Sequence, residues 1–275
     1  MNITARTALL AVIGDPVGHS LSPVLHNGWI ADHGLDAVFV ALKLRGEDPV
    51  GAIRALKQFA LKGASVTLPF KQAAARAADA YGAAAANTLR WEASGALTAF
   101  NTDGAGFVDA LTEAAPDWRQ RVKRALILGA GGAAHGIAEA LAGAAEIVIA
   151  NRTAPRAASL ASALPKARAE PWEKLPELFT GADLIVNATT LGMAGAPNLD
   201  WPLAHAKADA LVADIVYRPL ETQLLARARQ RGLIAIDGLG MLIHQGARAF
   251  EIWFGIRPDV KLARARLLAA LGEDT

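Results

Sequence analysis

A two-unit α/β fold is predicted by short apolar runs ending in turn residues, by helical stretches alternating with them, and by a glycine-rich turn that restarts the series midway through the 275 residues. The first run, TALLAVIGDP, is continuously apolar and closed by Gly14, Asp15 and Pro16, the pattern of a strand buried on both faces. LSPVLHNGWIADHG follows with Leu25, Trp29 and Ile30 on one side of a helix, and Gly34 supplies its end. AVFVALKL is a second strand. DPVGAIRALKQFALKG reads as a helix with Asp48 as N-cap, Pro49 in the first turn and Gly63 as its stop. In SVTLPFK, Val66 and Leu68 are the expected buried positions of a third strand. Pro69 ends it, because it lacks a backbone N–H, and Lys71 falls in the loop beyond. The alanine-rich KQAAARAADAYGAAAAN suits a helix.

The second series opens at RALILGAGG, with a strand near Ala125, and continues through EIVIANR, ADLIVNAT, ALVADIVY and IAIDG with helical segments between. MLIHQGARAFEIWFG and DVKLARARLLAALGED are two closing helices that can pack on either unit, with Trp253 and Phe254 expected to pack them. No internal repeat is visible.

Composition narrows the function. Hydrophobic residues reach 53% and charged residues 20%, enough apolar material for packed cores. The net charge of +2 is nearly balanced and says little about partners; a nucleic-acid binder should show clustered basic residues, and the one dense cluster, RQRVKR, is expected to be a solvated lead-in to a strand. The chain has no cysteine, so neither disulfides nor a thiolate metal site is available, which fits a cytoplasmic location. The first apolar run is too short, and too soon broken by Gly14 and Pro16, for a signal peptide. No apolar stretch nears the roughly 18 residues of a membrane span. The 6 histidines lack ligand spacing, so no metal is expected, and His135 is expected to be an exposed early-helix residue.

LILGAGGAAHG places Gly129, Gly131 and Gly132 directly between a strand and a helix. Glycines there permit a tight turn and close backbone approach to a pyrophosphate, which the helix N-terminus attracts. The spacing is G-x-G-G, tighter than the usual dinucleotide fingerprint. An NAD site wants an acid after the next strand to hold the ribose hydroxyl. Here Asn151, Arg152 and Thr153 stand there, with Arg156 close behind. A guanidinium beside neutral donors suits a 2′-phosphate, so NADP is the expected cofactor.

The first unit supplies polar residues at strand ends. Ser20 and Ser22 in HSLSP present two hydroxyls on one side if the segment is extended, suited to a carboxylate or diol, whereas a Ser-x-Ser-Pro unit also serves as a helix cap or turn. ANTL contributes Asn87, and FNTDGAG contributes Asn101 and Asp103.

In order along the chain, IGDPVGHSLSPVLHN, VTLPFK, ANTL, NTDGAG, ILGAGGAA, NRT, NATTLGM, DIVYRPLETQLL and DGLGMLIHQGARAFEIWFG closely resemble the shikimate dehydrogenase family over nearly the whole sequence. The resemblance implies NADP-dependent reduction of 3-dehydroshikimate to shikimate, in aromatic amino acid and chorismate biosynthesis, by a monomer or homodimer. It implies two α/β domains with a cleft between them: a discontinuous substrate domain of residues 1–104 and 239–275 with a mixed, mainly parallel sheet, and a Rossmann-type NADP domain of residues 105–238. Position by position, Lys71 and Asp103 match the catalytic pair. Ser20 and Ser22 match ligands of the substrate carboxylate, while Ser65, Thr67, Asn87, Tyr217 and Gln245 stand at the ring side. Gly129, Ala130, Gly131, Gly132 and Ala133 match the phosphate loop, and Asn151, Arg152, Thr153 and Arg156 the adenosine phosphate. Thr189, Gly238 and Met241 correspond to the nicotinamide side. A lysine beside the ketone stabilises a developing alkoxide and protonates it, and Asp103 is expected to orient Lys71 and bind a hydroxyl.

Several positions depart from the family pattern. Ser65 stands where Asn is usual, the link from Lys71 to Asn87 is short, AAAN replaces Gly-Ala-Val-Asn, Phe100 precedes Asn101, and Thr190 replaces a common Pro. Most of these lie on the substrate side. Two alternatives follow from the residues: a family paralogue acting on quinate or an aminoshikimate, and a catalytically silent NADP-binding sensor. The sensor would be expected to have lost Lys71 or Asp103, and both are present.

Overall fold

The structure, a computed structural model, describes residues 3–80, 84–197 and 200–272; among them the chain forms two compact units, 1–102 with 243–275 and 103–242.

The first unit runs β1 (Ala8–Gly14), α1 (Ser22–Asp32), β2 (Ala37–Lys43), α2 (Pro49–Ala55), β3 (Gly63–Val66), α3 (Lys71–Ala77), β4 (Thr88–Trp91) and β5 (Leu97–Phe100). Its sheet has the order β2-β1-β3-β4-β5. The first three strands are parallel, and β4 and β5 join antiparallel with Ser65 opposite Thr88 and Thr88 opposite Phe100. The antiparallel hairpin is legible only in part. Its strand LTAF alternates buried and half-buried positions, and its turn uses Gly95 at φ +83°, a conformation that suits glycine. The alanine run that precedes it forms a helix only to Ala77, after which Ala78 is extended; Tyr81, within that predicted helix, lies outside the described residues.

Helix α2 begins as predicted, with Asp48 accepting the Gly51 N–H at 2.9 Å. It ends earlier than predicted, passing through a 3₁₀ turn at Leu56–Phe59 to Ala60 in the left-handed region. Gly63 is the first residue of β3 instead of a helix stop. A β-carbon there would run into the Trp253 indole, whose Nε1 donates to the Leu89 carbonyl at 2.9 Å. Trp253 thus packs on the sheet as well as within the closing helices. Leu68, predicted to be buried, is 52% exposed, because β3 ends at Val66 and the chain turns away. Lys71 is the first residue of α3, not a loop residue.

One face of the sheet packs Ile13, Val66, Leu89 and Ala99 against the small side chains of α3. Across the other lies an aromatic cluster in which His26 stacks on Phe39 at 4.4 Å and meets the edge of Trp29 at 5.4 Å. Asn27 fastens α1 to β2 by exchanging two hydrogen bonds with the Phe39 backbone at 2.8 and 2.9 Å.

The second unit begins with α4 (Asp103–Ala114) and α5 (Trp118–Arg121). It continues through β6 (Arg124–Leu128), α6 (Gly132–Leu141), β7 (Glu146–Ala150), α7 (Ala154–Ser162), β8 (Ala167–Glu170) and α8 (Leu175–Gly181). β9 (Leu184–Asn187), β10 (Leu211–Asp214), α9 (Gln223–Gln230) and β11 (Ile234–Ile236) complete its sheet. The order β11-β10-β9-β6-β7-β8, all parallel, is that of a doubly wound dinucleotide fold, with the switch point between β6 and β9. Alternate residues serve opposite faces: Ile127, Ile149, Val186 and Ala213 pack against α4 and α6, whereas Leu126, Val148, Ile185 and Val212 pack against α8 and α9. Burying each such side chain contributes about 1.5–3 kcal/mol, which is why the strands read as unbroken apolar runs. β8 escaped the sequence pattern because ARAE is a half-buried edge strand without an apolar run. The basic cluster before β6 is partnered: Arg119 stacks on Trp118 at 4.4 Å, and Arg124 meets Glu146 at 2.9 Å.

α10 (Gly238–Phe254) and α11 (Val260–Leu271) follow, and from Ile243 onward they belong to the first unit, a choice that residue pattern alone left open and the family resemblance made at 239. Among the described residues no helix is long and apolar enough to cross a membrane.

Candidate active site

Parallel strands deliver their following loops to one edge of a sheet, and in the first unit β1 and β3 do so side by side. Thr67 donates its N–H to the Ile13 carbonyl at 2.9 Å, and Asp15 returns one to Leu68 at 3.1 Å, so the two loops are stitched together. Ser20 lies on the first loop and Ser22 opens the helix after it, while Thr67 lies on the second loop and Lys71 opens α3, with Ser65 just inside β3. The antiparallel β4 enters from that same edge, which brings Asn87 there: its carbonyl accepts from Val66 at 2.7 Å, and Ala86 N–H reaches the Lys71 carbonyl at 2.8 Å. Gln245 arrives on α10 and accepts from Asn87 Nδ2 at 3.0 Å.

Ser20 and Ser22 are not extended. Ser22 opens α1 and its backbone N–H reaches Ser20 Oγ at 3.3 Å, so the pair forms a helix-entry turn. Asn87 is buried in a network the sequence did not reveal. Its Oδ1 accepts from the Thr102 N–H at 2.7 Å and its Nδ2 donates to Thr102 Oγ1 at 2.9 Å, with the Thr88 hydroxyl 3.2 Å away from Oδ1. Thr88 and Thr102 carry no motif signal beyond a polar residue at a strand end. Asn101 donates to the Ala85 carbonyl at 3.2 Å. Ser65 Oγ is buried without a hydrogen-bond partner among the described residues. Asp103 follows Thr102 directly and is buried in the first turn of α4.

In the second unit, β6 ends in the glycine loop. Gly129 holds φ +109°, and a β-carbon there would press on the Ala188 carbonyl at 2.9 Å. Gly131 is extended, and a β-carbon on it would meet nothing, so the space before the first turn of α6 is open. Ala130 is buried, while Gly132 and Ala133 are half-buried. At the end of β7, Asn151 Nδ2 donates to the Thr153 carbonyl at 2.9 Å, and Arg152, Thr153 and Arg156 are exposed. An open cradle at a helix N-terminus, with guanidinium groups and no carboxylate at the next strand end, has the donor set a phosphorylated dinucleotide needs. His135 is half-buried, not exposed, and burial lowers its pKa.

Thr189 is pinned: its hydroxyl donates to Asn187 Oδ1 at 2.6 Å and accepts from Leu191 N–H at 3.0 Å. Gly238 opens α10 against the Ile215 and Val216 carbonyls, which leave no room for a β-carbon. Met241 packs into the core of the unit. Tyr217 is half-buried, and burial raises its pKa against the smaller opposing effect of Arg218. Among the described residues no group of three or more His, Cys, Asp or Glu side chains is placed to hold a metal ion.

Three family models match the chain: the shikimate dehydrogenase substrate binding domain at residues 12–89, shikimate/quinate 5-dehydrogenase at 112–198, and the shikimate 5′-dehydrogenase C-terminal domain at 238–268. The shikimate dehydrogenase (NADP(+)) of Rhodospirillum rubrum is 45% identical over 94% of this chain and 95% of its own length. The crystal structure of shikimate 5-dehydrogenase from Thermus thermophilus with NADP(H) and shikimate is 37% identical, with TM-score 0.84 over 95% of this chain and 99% of that one. Quinate dehydrogenase from Corynebacterium glutamicum in complex with NAD is 29% identical, with TM-score 0.87 over 96% and 99%. By the identity and coverage of these relatives, and by the fold that carries both sets of residues, the chain belongs to the shikimate dehydrogenase family.

Proposed function

We propose that this chain catalyses the NADP(H)-dependent interconversion of 3-dehydroshikimate and shikimate, as in aromatic amino acid biosynthesis. The observation that carries the reading is the gathering of Ser20, Ser22, Ser65, Thr67, Lys71, Asn87 and Gln245 on one sheet edge of the first unit. Hydroxyls and amides with one lysine suit a small carboxylate bearing several hydroxyl groups.

Bound NADP(H) supplies the hydride acceptor or donor. In reduction, the carbonyl carbon gains a hydride and its oxygen gains a proton. The Lys71 ammonium stabilises the negative charge building on that oxygen and then delivers the proton; in oxidation it takes the proton back. Asp103 orients the lysine and accepts from a ring hydroxyl. Ser20 and Ser22 bind the carboxylate; Ser65, Thr67, Asn87, Gln245 and Tyr217 order the ring. The loop Gly129–Ala133 holds the pyrophosphate, Asn151, Arg152, Thr153 and Arg156 hold the adenosine phosphate, and Thr189, Gly238 and Met241 stand at the nicotinamide side. In this reading residues 1–104 with 239–275 serve the substrate and 105–238 the dinucleotide.

The test is turnover followed by nicotinamide absorbance, with shikimate and quinate each paired with NADP⁺ and NAD⁺. Preference for shikimate with NADP⁺ is expected. Turnover of quinate with NAD⁺ alone would instead place the chain with its quinate-type relatives, and no turnover with any pair would exclude both reactions. The absence of an acid after β7 favours the phosphorylated cofactor. Arg152→Glu is therefore expected to raise the NADP⁺ KM on the order of 10–100-fold, by loss of a charge-assisted phosphate contact and added repulsion. The NAD⁺ KM should stay within about threefold. An unchanged NADP⁺ KM would remove Arg152 from phosphate recognition.

A further inference from the structure

Asp214 and Asn187 end neighbouring strands of the second unit, and neither belongs to the residues assigned above. Asp214 is buried, and every hydrogen bond found for its carboxylate comes from a neutral donor. Oδ1 accepts from Asn187 Nδ2 at 2.9 Å and from the Val216 N–H at 3.0 Å, and Oδ2 accepts from the Thr222 hydroxyl at 2.7 Å. A buried ion without a cation beside it is costly, so a fold keeps one where its directionality matters.

That directionality is legible bond by bond. An ionised carboxylate only accepts, so it obliges Asn187 to turn its amide nitrogen toward β10. The Asn187 oxygen then faces its own loop, where it accepts from the Thr189 N–H at 3.1 Å and from the Thr189 hydroxyl. The same amide nitrogen holds the Leu191 carbonyl at 3.0 Å. Ala188, between the two pinned residues, is the peptide on which Gly129 rests. On the other side, the Val216 N–H held by Asp214 belongs to the segment that packs under Gly238. Ala194 N–H donates to the Arg218 carbonyl at 3.0 Å and joins the two loops again further out.

We infer that Asp214 is a positioning residue for the dinucleotide: through Asn187 and Val216 it sets the loops on which Gly129, Thr189 and Gly238 depend. The inference rests on the NADP reading above. The Thr222 bond is a separate matter, because Thr222 caps α9 by accepting from Leu225 N–H at 3.4 Å; it lies beside Gly192, and its hydroxyl is spent on Asp214 and the cap.

Isothermal titration with NADP⁺ tests this, alongside KM values for both substrates. Asp214→Ala and Asn187→Ala are each expected to weaken NADP⁺ binding on the order of tenfold, since small misplacement of positioning groups is amplified at a reacting site. The shikimate KM should stay within about twofold. Asp214→Asn should bind NADP⁺ within about threefold of the parent, because its amide oxygen can still serve Asn187 and Val216 while its nitrogen faces Thr222. Thr222→Val should lower the melting temperature and leave NADP⁺ binding unchanged. If Asp214→Ala does not fold, Asn187→Ala reads the same pin from the other strand. Parent-like NADP⁺ affinity in the alanine variant that folds overturns the inference. Equal weakening by Thr222→Val also overturns it, since the effect would then be general loosening. A parent chain that binds no NADP⁺ in the same titration removes the cofactor reading, and the inference with it.

Discussion

Lys71→Ala is expected to lower kcat by about 10²- to 10⁴-fold while raising the shikimate KM less than about tenfold. The ammonium acts on charge that exists mainly in the transition state, so its loss falls on the rate more than on binding. The backbone under Lys71 is well anchored: it opens α3, and its carbonyl holds Ala86, the neighbour of Asn87. Truncating the side chain therefore leaves the sheet edge in place, and unchanged far-ultraviolet circular dichroism should accompany the loss. A variant that keeps most of its kcat would take the lysine out of the chemistry.

The second large effect concerns acid stability and His26. Among the described residues neither ring nitrogen has a hydrogen-bond partner, and the ring lies among Phe39, Trp29 and Trp253 at 4.4, 5.4 and 5.2 Å. Burial in this aromatic cage lowers its pKa from 6.5 to about 3. The unfolded chain consequently binds the proton more tightly than the folded one. Stability is fully present above pH 6.5 and is lost as the pH falls toward 3, by about 1.4 kcal/mol per pH unit, or about 3 kcal/mol at pH 4. His26→Leu is expected to cost less than about 1.5 kcal/mol at neutral pH, a change of similar volume. It should then overtake the parent as the pH drops. Urea denaturation of the first unit's tryptophans at pH 7 and pH 4 checks this, and a constant difference between the two proteins across that range would refute it. Asp214 in the second unit moves oppositely. Burial, partly offset by its hydrogen bonds, raises it to about 6, so the charge it carries at neutral pH costs stability that returns as the pH falls from 6 toward 4.

Much of this was legible from local pattern. The parallel strands of the second unit announced themselves as apolar runs, because both their faces are covered. Asp48 and Pro49 marked a helix start correctly, and the Leu25, Trp29 and Ile30 face of α1 is fully buried. Where local pattern and structure differ, the deciding partner often lies far away in the chain. Gly63 looked like a helix stop and is instead the gap into which Trp253 fits. The run AAAA before Asn87 looked helical, yet the pairing of β4 with β3 takes Ala86 and Asn87 into the sheet edge. β8 is a half-buried edge strand with no periodic apolar signal.

The site divides the same way. The residue types at Ser20, Ser22, Lys71 and Asn87, the glycines after β6 and the arginines after β7 are properties of the sequence, because each chemistry is carried by a local run of residues. What only tertiary structure decided is how those residues are held. The Ser20–Ser22 segment became a turn when α1 started at Ser22. Asn87 is aimed by Thr102 and Gln245, and the loops beneath the glycines are aimed by Asp214 through Asn187. Local sequence sets backbone preference and side-chain chemistry. The direction of a buried polar group depends on whichever donor or acceptor the fold brings opposite it, and that partner is written elsewhere in the chain.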